Sequence, residues 1–310
     1  MQSNARHIPV MLKEVLQTLS PQEGKVYVDA TFGNGGYSEA ILKSADCQVI
    51  AIDRDPSVLP RVNELKTLYG KRFDFKAGTF GKLAELVNEK VDGVVFDIGV
   101  SSMQLDDDFR GFSFSKEADL DMRMSMSGIS AKDIINTMPE ADLADLIYQY
   151  GEEKKSRQIA HKIAMYRETK EITTTTELAN IIYGVMPKKF GQIDPATRTF
   201  QAIRIAVNDE LQQLKDGLSA AVSITKGDGR IVVVDFHSLE DRIVKTFFAE
   251  NAPKRVHTSR YKATEEDPVN SDLPLAFASK AIIPSEEECL KNPRSRSAKL
   301  RYAIKRKEQQ

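Results

Sequence analysis

The sequence predicts an α/β protein: a doubly wound, mainly parallel sheet with a mainly helical segment inserted into it. Three observations carry that expectation. Short apolar runs alternate with helical stretches over the first hundred residues, a glycine-rich turn directly follows the first run, and the alternation stops after Asp97 and resumes only at Ile231.

The first strand is expected at Val26-Tyr27-Val28, running into Asp29-Ala30-Thr31-Phe32-Gly33-Asn34-Gly35-Gly36, with a helix beginning near Tyr37 or Ser38. A second follows from Val49 to Ile52 and ends on Asp53, a third lies around Phe73 to Phe75, and a fourth, Val94 to Phe96, ends on Asp97. Intervening helices make these strands parallel. Beyond Asp97 the pattern is loop and then helices. Thr137-Met138-Pro139-Glu140 has the form of a capping box, and Leu143, Ile147 and Tyr150 share a face before Gly151. A second box, Thr174 to Glu177, opens a helix through Ile181 and Ile182, and one long helix is expected from Thr199 to Val222. Strand signals return at Ile231 to Asp235, at Lys280 to Ile283 and at Leu300 to Lys305, the last two close enough for an antiparallel hairpin at the sheet edge. The expected organisation is a discontinuous core, residues 1–104 and 210–310, around a helical substrate-recognition domain, residues 105–209.

The chain has 310 residues, 41% hydrophobic and 29% charged, enough to bury a sizeable core with an insertion. Its net charge of −1 does not advertise a polyanionic partner, so local clusters must carry any such claim. Two distant cysteines, with no signal-peptide pattern and no apolar run of membrane-spanning length, make a reducing cytoplasm the expected compartment. The four histidines are scattered singly, and no Cys/His spacing suggests a metal site. Sequence leaves the oligomeric state open.

In an open α/β sheet a ligand sits beyond the carboxyl ends of the strands, where glycines let the backbone approach it. Gly33, Gly35 and Gly36 occupy the first such turn, and Asp53 ends the second strand, placed to accept from both hydroxyls of a ribose. Dinucleotide enzymes share these features. Here, however, Ser38 stands where the third fingerprint glycine would fall and Asp29 precedes the turn. That acid suits the ammonium of S-adenosylmethionine better than a pyrophosphate.

Asp97-Ile98-Gly99-Val100-Ser101-Ser102 places a carboxylate beside this pocket. An exocyclic amine is a poor nucleophile because its lone pair is delocalised into the ring. An acceptor for its hydrogens lets the nitrogen pyramidalise, and Asp97 is the candidate catalytic residue. Methylation at pyrimidine carbon-5 would instead need a cysteine nucleophile, and neither Cys47 nor Cys289 belongs to a strand-end motif.

Long motifs then resemble, in order and nearly end to end, the bacterial ribosomal small-subunit RNA (cytidine-N(4)-)-methyltransferase family, formerly called MraW. They are Asp29 to Gly36, Ala51 to Asp55, Asp97 to Asp106, Arg110 to Phe114, Leu120 to Met124, Pro195 to Arg204, Phe236 to Arg242 and Asn292 to Ser297. The resemblance implies a Rossmann-like class I methyltransferase fold, S-adenosylmethionine as cofactor and a cytidine in the decoding region of 16S rRNA, within the small ribosomal subunit, as substrate. It implies cofactor contacts from Gly35, Gly36, Tyr37, Asp53, Phe80, Asp97 and Gln104. Tyr37 replaces the family's usual histidine, and Ala118-Asp119 replaces a common Gly-Pro.

The RNA contacts expected from the residues are Arg198 and Arg204, His237 and Arg242, and Arg294, Arg296 and Lys299 in a tail with eight Lys/Arg and no acid between Lys291 and Lys307. Two competing functions share the fold signals: a nicotinamide-dependent oxidoreductase, which NAD binding would reveal, and a non-catalytic ribosome assembly factor, which a turnover assay would reveal.

Overall fold

The computed structural model describes residues 9–101, 104, 109–253 and 272–307. Residues 102, 103, 105 and 106 of the Asp97–Asp106 motif lie outside the described residues. The chain divides into two compact units: Met1–Gly99 with Leu211–Gln310, and Val100–Glu210.

The first unit is a seven-stranded sheet of β1 (Val26–Asp29), β2 (Gln48–Asp53), β3 (Phe73–Ala77), β4 (Val91–Asp97), β5 (Thr225–Asp235), β6 (Leu275–Ala278) and β7 (Lys299–Lys305), in the order β3-β2-β1-β4-β5-β7-β6. β1 to β5 are parallel neighbours, and β7 runs antiparallel between β5 and β6. The dinucleotide order 3-2-1-4-5-6 has no such strand. Both faces of the sheet are covered, so central strands read as unbroken apolar runs rather than alternating ones. Val95, Val232 and Val234 face a core with Val15, Ile41 and Leu65 from the helices Leu12–Leu19, Gly36–Ser44 and Leu59–Tyr69. Val94, Phe96, Ile231 and Val233 face the other, with Leu214 and Leu218 of helix Glu210–Ile224 and Val244 and Phe248 of helix Ser238–Asn251. Each such side chain contributes about 1.5–3 kcal/mol by burial.

The sheet edge differs from expectation. Lys280 to Ile283 form no strand; they contribute one bridge, Ile282 to Leu300, before Pro284, which has no N–H to continue a ladder. β7 pairs instead with β6, and β6 forms the edge.

The second unit packs the helices Ala131–Thr137, Glu140–Gly151, Ser156–Arg167, Thr175–Tyr183 and Ala196–Asn208 around Ile135, Leu143, Ile147, Ile159, Ile163, Leu178 and Ile203. The Thr174–Glu177 capping box is present. The one expected at Thr137–Glu140 is not: Thr137 is itself helical and bonds back to the Asp133 carbonyl, and the box sits at Ser130–Asp133. The long helix expected over Thr199–Val222 is broken at Asp209, whose φ of 52° is left-handed. Aspartate tolerates that conformation, and Asn208 fixes the break by donating to the Met122 carbonyl and accepting from the Met124 N–H. Arg110 donates to the carbonyls of Arg123 and Met124, so two of the motifs that carry the resemblance tie each other in place. Replacing Gly-Pro by Ala118-Asp119 leaves the neighbouring pairing intact. Its bonds run from Leu120 N–H to Thr173 and from Thr175 N–H to Ala118, and neither uses the Asp119 amide.

Candidate active site

Three parallel strands in a row, β2, β1 and β4, each end on aspartate: Asp53, Asp29 and Asp97. The chain moves outward from β1 to β2 and β3 and then returns to β4 on the other side, so the crevice beyond β1 and β4 is the topological switch point where open α/β sheets take ligands.

The glycine turn builds one wall. Gly33 and Gly35 have φ of 51° and 72°, and a Cβ on Gly35 would stand 2.8 Å from the Phe32 ring, so both strain and space select glycine there. Gly35 caps the helix Gly36–Ser44, and a Cβ on Gly36 would run into Pro9. Asp53 closes the turn from β2: its carboxylate accepts from the Gly33 N–H at 2.7 Å and the Asp55 N–H at 2.8 Å.

Asp29 is fully buried, and Ser38 supplies what it needs, donating from its hydroxyl at 2.7 Å and its amide at 3.1 Å. Serine at the third fingerprint position thus serves the acid. Thr31 joins the two central strand ends, donating its amide to Asp29 at 3.3 Å and accepting the Asp97 N–H on its hydroxyl at 2.6 Å.

Asp97 has a buried Oδ1 with no hydrogen-bond partner. Burial, with Asp29 and Glu240 adding repulsion, pushes its carboxyl up to about 8. Burial also raises Asp29, to about 6 against the bonds from Ser38, and raises Asp53 against those from the Asp55 and Gly33 amides. No described lysine or arginine forms an ion pair with any of the three.

The other expected site residues fall as follows. Phe80, just beyond β3, sets its ring edge-on to Phe96 at 5.8 Å. The Tyr37 hydroxyl is buried and donates to the Val10 carbonyl, so its side chain latches the segment before the first helix. Gln104 lies in the second unit, where its side-chain oxygen accepts from the Ser101 N–H at 2.9 Å. Sequence reasoning passed over Asp235, which ends β5, is 1% exposed and has neither carboxylate oxygen hydrogen-bonded. Burial and then Asp241 and Glu240 push it up to about 8, against Lys299 and Arg301. The signal was available: its strand is one more apolar run ending on aspartate.

The basic residues are not equivalent. Arg204 is held by Glu210 through two bonds of 2.8 Å, and Lys299 by Asp241 at 2.7 Å. His237 is the N-cap of helix Ser238–Asn251: Nδ1 accepts from the Glu240 amide at 3.4 Å, and Nε2 lies 3.0 Å from Glu240 Oε1. These three have structural employment within the fold. Arg198 is exposed, 3.8 Å from Glu153; Arg242 and Arg296 are exposed, and Arg294 is half-buried.

The family model of the MraW methylase family matches residues 4–306. The chain is 53% identical to "Ribosomal RNA small subunit methyltransferase H" of Rickettsia bellii, over 96% of this chain and 98% of that protein, and 52% identical to the protein of the same name from Rickettsia canadensis, over 96% and 97%. The solved structure of an rRNA methylase from Streptococcus thermophilus aligns with 96% of this chain and 94% of its own at 10% identity, with a TM-score of 0.41. A match over almost the whole chain, with relatives this similar, means that the protein belongs to the MraW methylase family.

Proposed function

We propose that this protein is an S-adenosylmethionine-dependent methyltransferase that methylates N4 of a cytidine in the decoding region of 16S rRNA, acting on the small ribosomal subunit in the cytoplasm. Family membership gives methyl transfer. The observation that carries the cofactor is the row of cation-free carboxyls at Asp29, which is buried, and Asp53 and Asp97, which are half-buried, with one buried oxygen of Asp97 left without a partner. Such a row repels a pyrophosphate and favours a ligand bearing positive charge.

S-adenosylmethionine, when bound, supplies a methyl group on a sulfonium centre together with an ammonium. The backbone at Gly33, Gly35, Gly36 and Tyr37 would let it approach, Asp53 would accept its ribose hydroxyls, and Phe80 would complete its surroundings. Because the Tyr37 side chain is committed to Val10, a contact there comes from the backbone. Asp97 holds the hydrogens of the target amine, so that the nitrogen lone pair turns out of conjugation. Arg198, Arg242, Arg294 and Arg296 offer phosphate contacts. Among the described residues no helix is long and apolar enough to cross a membrane.

The test is transfer from labelled S-adenosylmethionine to small subunits purified from cells lacking this protein, followed by nucleoside mass spectrometry. The expected product is N4-methylcytidine, and S-adenosylmethionine but not NAD should raise the melting temperature. A methyl group on carbon-5, or cofactor binding without any transfer to RNA, would overturn the assignment.

A further inference from the structure

Between the helices Thr175–Tyr183 and Ala196–Asn208, residues 187–193 are all exposed. At their centre Phe190 is 107% exposed, the most exposed of the large apolar side chains described, and Ile193 is 77% exposed. An aromatic ring held wholly in water costs free energy that burial would recover, so its presentation calls for a partner.

The loop presents this ring on a braced base. Asp194 accepts from the Tyr183 hydroxyl at 3.1 Å and from the Ala196 amide at 2.9 Å, and pairs with Lys188 at 3.0 Å, whose ammonium also lies 4.3 Å from the centre of the Tyr183 ring. The tip is a turn closed by the Gln192 N–H on the Lys189 carbonyl at 3.3 Å, with Gly191 third in the turn at a φ of 74°. A positive φ there is the mark of a type II turn, which puts Phe190 on the corner, pointing away from the chain. Nothing lies within 4 Å of where a Gly191 Cβ would stand. Beside Phe190, Lys189 is exposed and forms no ion pair among the described residues, and residues 187–193 contain no acid.

We propose that this turn is a contact for single-stranded RNA, in which Phe190 stacks on an unpaired base and Lys189 pairs with a neighbouring phosphate. The inference rests on the RNA-methyltransferase reading and extends it to the substrate-binding surface. One aromatic ring set among lysine, glycine and glutamine suits a base, whose flat face needs one ring and whose backbone needs a cation. A protein partner would call for a wider continuous apolar patch, which these polar neighbours interrupt. Bracing by Tyr183, Asp194 and Lys188 fixes the loop before binding and lowers the ordering cost.

The protein contains no tryptophan, so Phe190→Trp installs a single reporter that keeps the stacking face. Its emission should be quenched on titration with small subunits and with single-stranded RNA of the substrate sequence, at a midpoint that matches filter binding. Phe190→Ala should weaken RNA binding roughly ten- to a hundredfold, Phe190→Tyr should restore it, and cofactor affinity and melting temperature should not move. Lys189→Gln should flatten the slope of log affinity against log salt by about 0.7. Wild-type RNA affinity in Phe190→Ala would overturn the inference, as would a blue shift with intact subunits and no quenching by RNA, which would mark a ribosomal protein as the partner. If the wild-type protein transfers methyl groups to RNA while Phe190→Ala is unchanged, only this inference falls. If the wild type neither binds nor modifies RNA, the function reading falls with it.

Discussion

Asp97 and Asp241 belong to the same unit and differ in what surrounds them. Asp241, in the first turn of helix Ser238–Asn251, takes Arg301 on one oxygen and Lys299 on the other, both at 2.7 Å. Burial pushes its carboxyl up, but those two cations prevail and hold it below the usual carboxylate range. Asp97 has burial without cations and goes the other way, to about 8, with an oxygen unsatisfied. A carboxylate whose partners come from its own chain stabilises the fold. One left buried and unpartnered costs stability, and such a cost is tolerated where a ligand completes the environment.

The largest effect that would break this contrast is on turnover. Asp97→Asn keeps an acceptor oxygen and removes the ionisable group, and single-turnover rates should fall on the order of 100-fold, the usual size of an electrostatic catalytic contact. Equal rates in mutant and wild type would place Asp97 with Asp241 among structural groups. Asp53→Ala should act on binding instead. Losing an acceptor for two ribose hydroxyls costs about 1.5–3 kcal/mol, roughly ten- to a hundredfold in affinity by calorimetry. The variant also frees the Gly33 and Asp55 amides, so circular dichroism should accompany the titration to show that the turn still folds.

The contrast also fixes the sign of a pH effect. In the folded protein Asp97 keeps its proton to about pH 8, whereas the unfolded chain loses it near the ordinary aspartate value. Folding therefore takes up a proton between those values, and this group's contribution to stability declines as pH rises through that window. A positively charged cofactor favours the ionised form, so binding should release a proton and affinity should rise between pH 6 and 8, by at most about tenfold per pH unit for one proton. Calorimetry in buffers of different ionisation enthalpy reads that release. Asp97→Asn should reduce it, and a flat affinity profile in the wild type would show that the cofactor does not engage this carboxyl.

How much of this could be read from sequence follows the same division. The strands and the row Asp29, Asp53, Asp97 were legible because a buried parallel strand is a short apolar run and the next residue sits at the ligand edge by construction. Asp235 carried the same signature and was passed over because it follows the insert, away from the glycine turn. The break at Asp209 was not legible, because apolar spacing runs on past it and what fixes the break is a tertiary bond, Asn208 to Met122. Nor was the pairing of Lys299 with Asp241, since proximity across 58 residues is a property of β7 lying beside β5. Composition counted every cation of the tail alike, whereas the fold had already engaged some of them.

The smallest expected effects separate those cations. Arg296 is exposed in the short turn before β7, whereas Lys299 is bound to Asp241. If the tail contacts phosphate, Arg296→Gln should lower affinity for the small subunit and flatten its salt slope by roughly 0.7 to 0.9, with the melting temperature unchanged. Lys299→Gln should do the reverse, lowering stability by up to about 1 kcal/mol while the salt slope stays put, because Lys299 is partly exposed and Arg301 still holds Asp241. A double variant, Arg296→Gln with Lys299→Gln, should show the two losses simply adding, one in binding and one in stability. A Lys299→Gln slope as flat as that of Arg296→Gln would mean that RNA draws Lys299 away from Asp241, and that the pairing seen in the free protein is a resting arrangement of a binding residue.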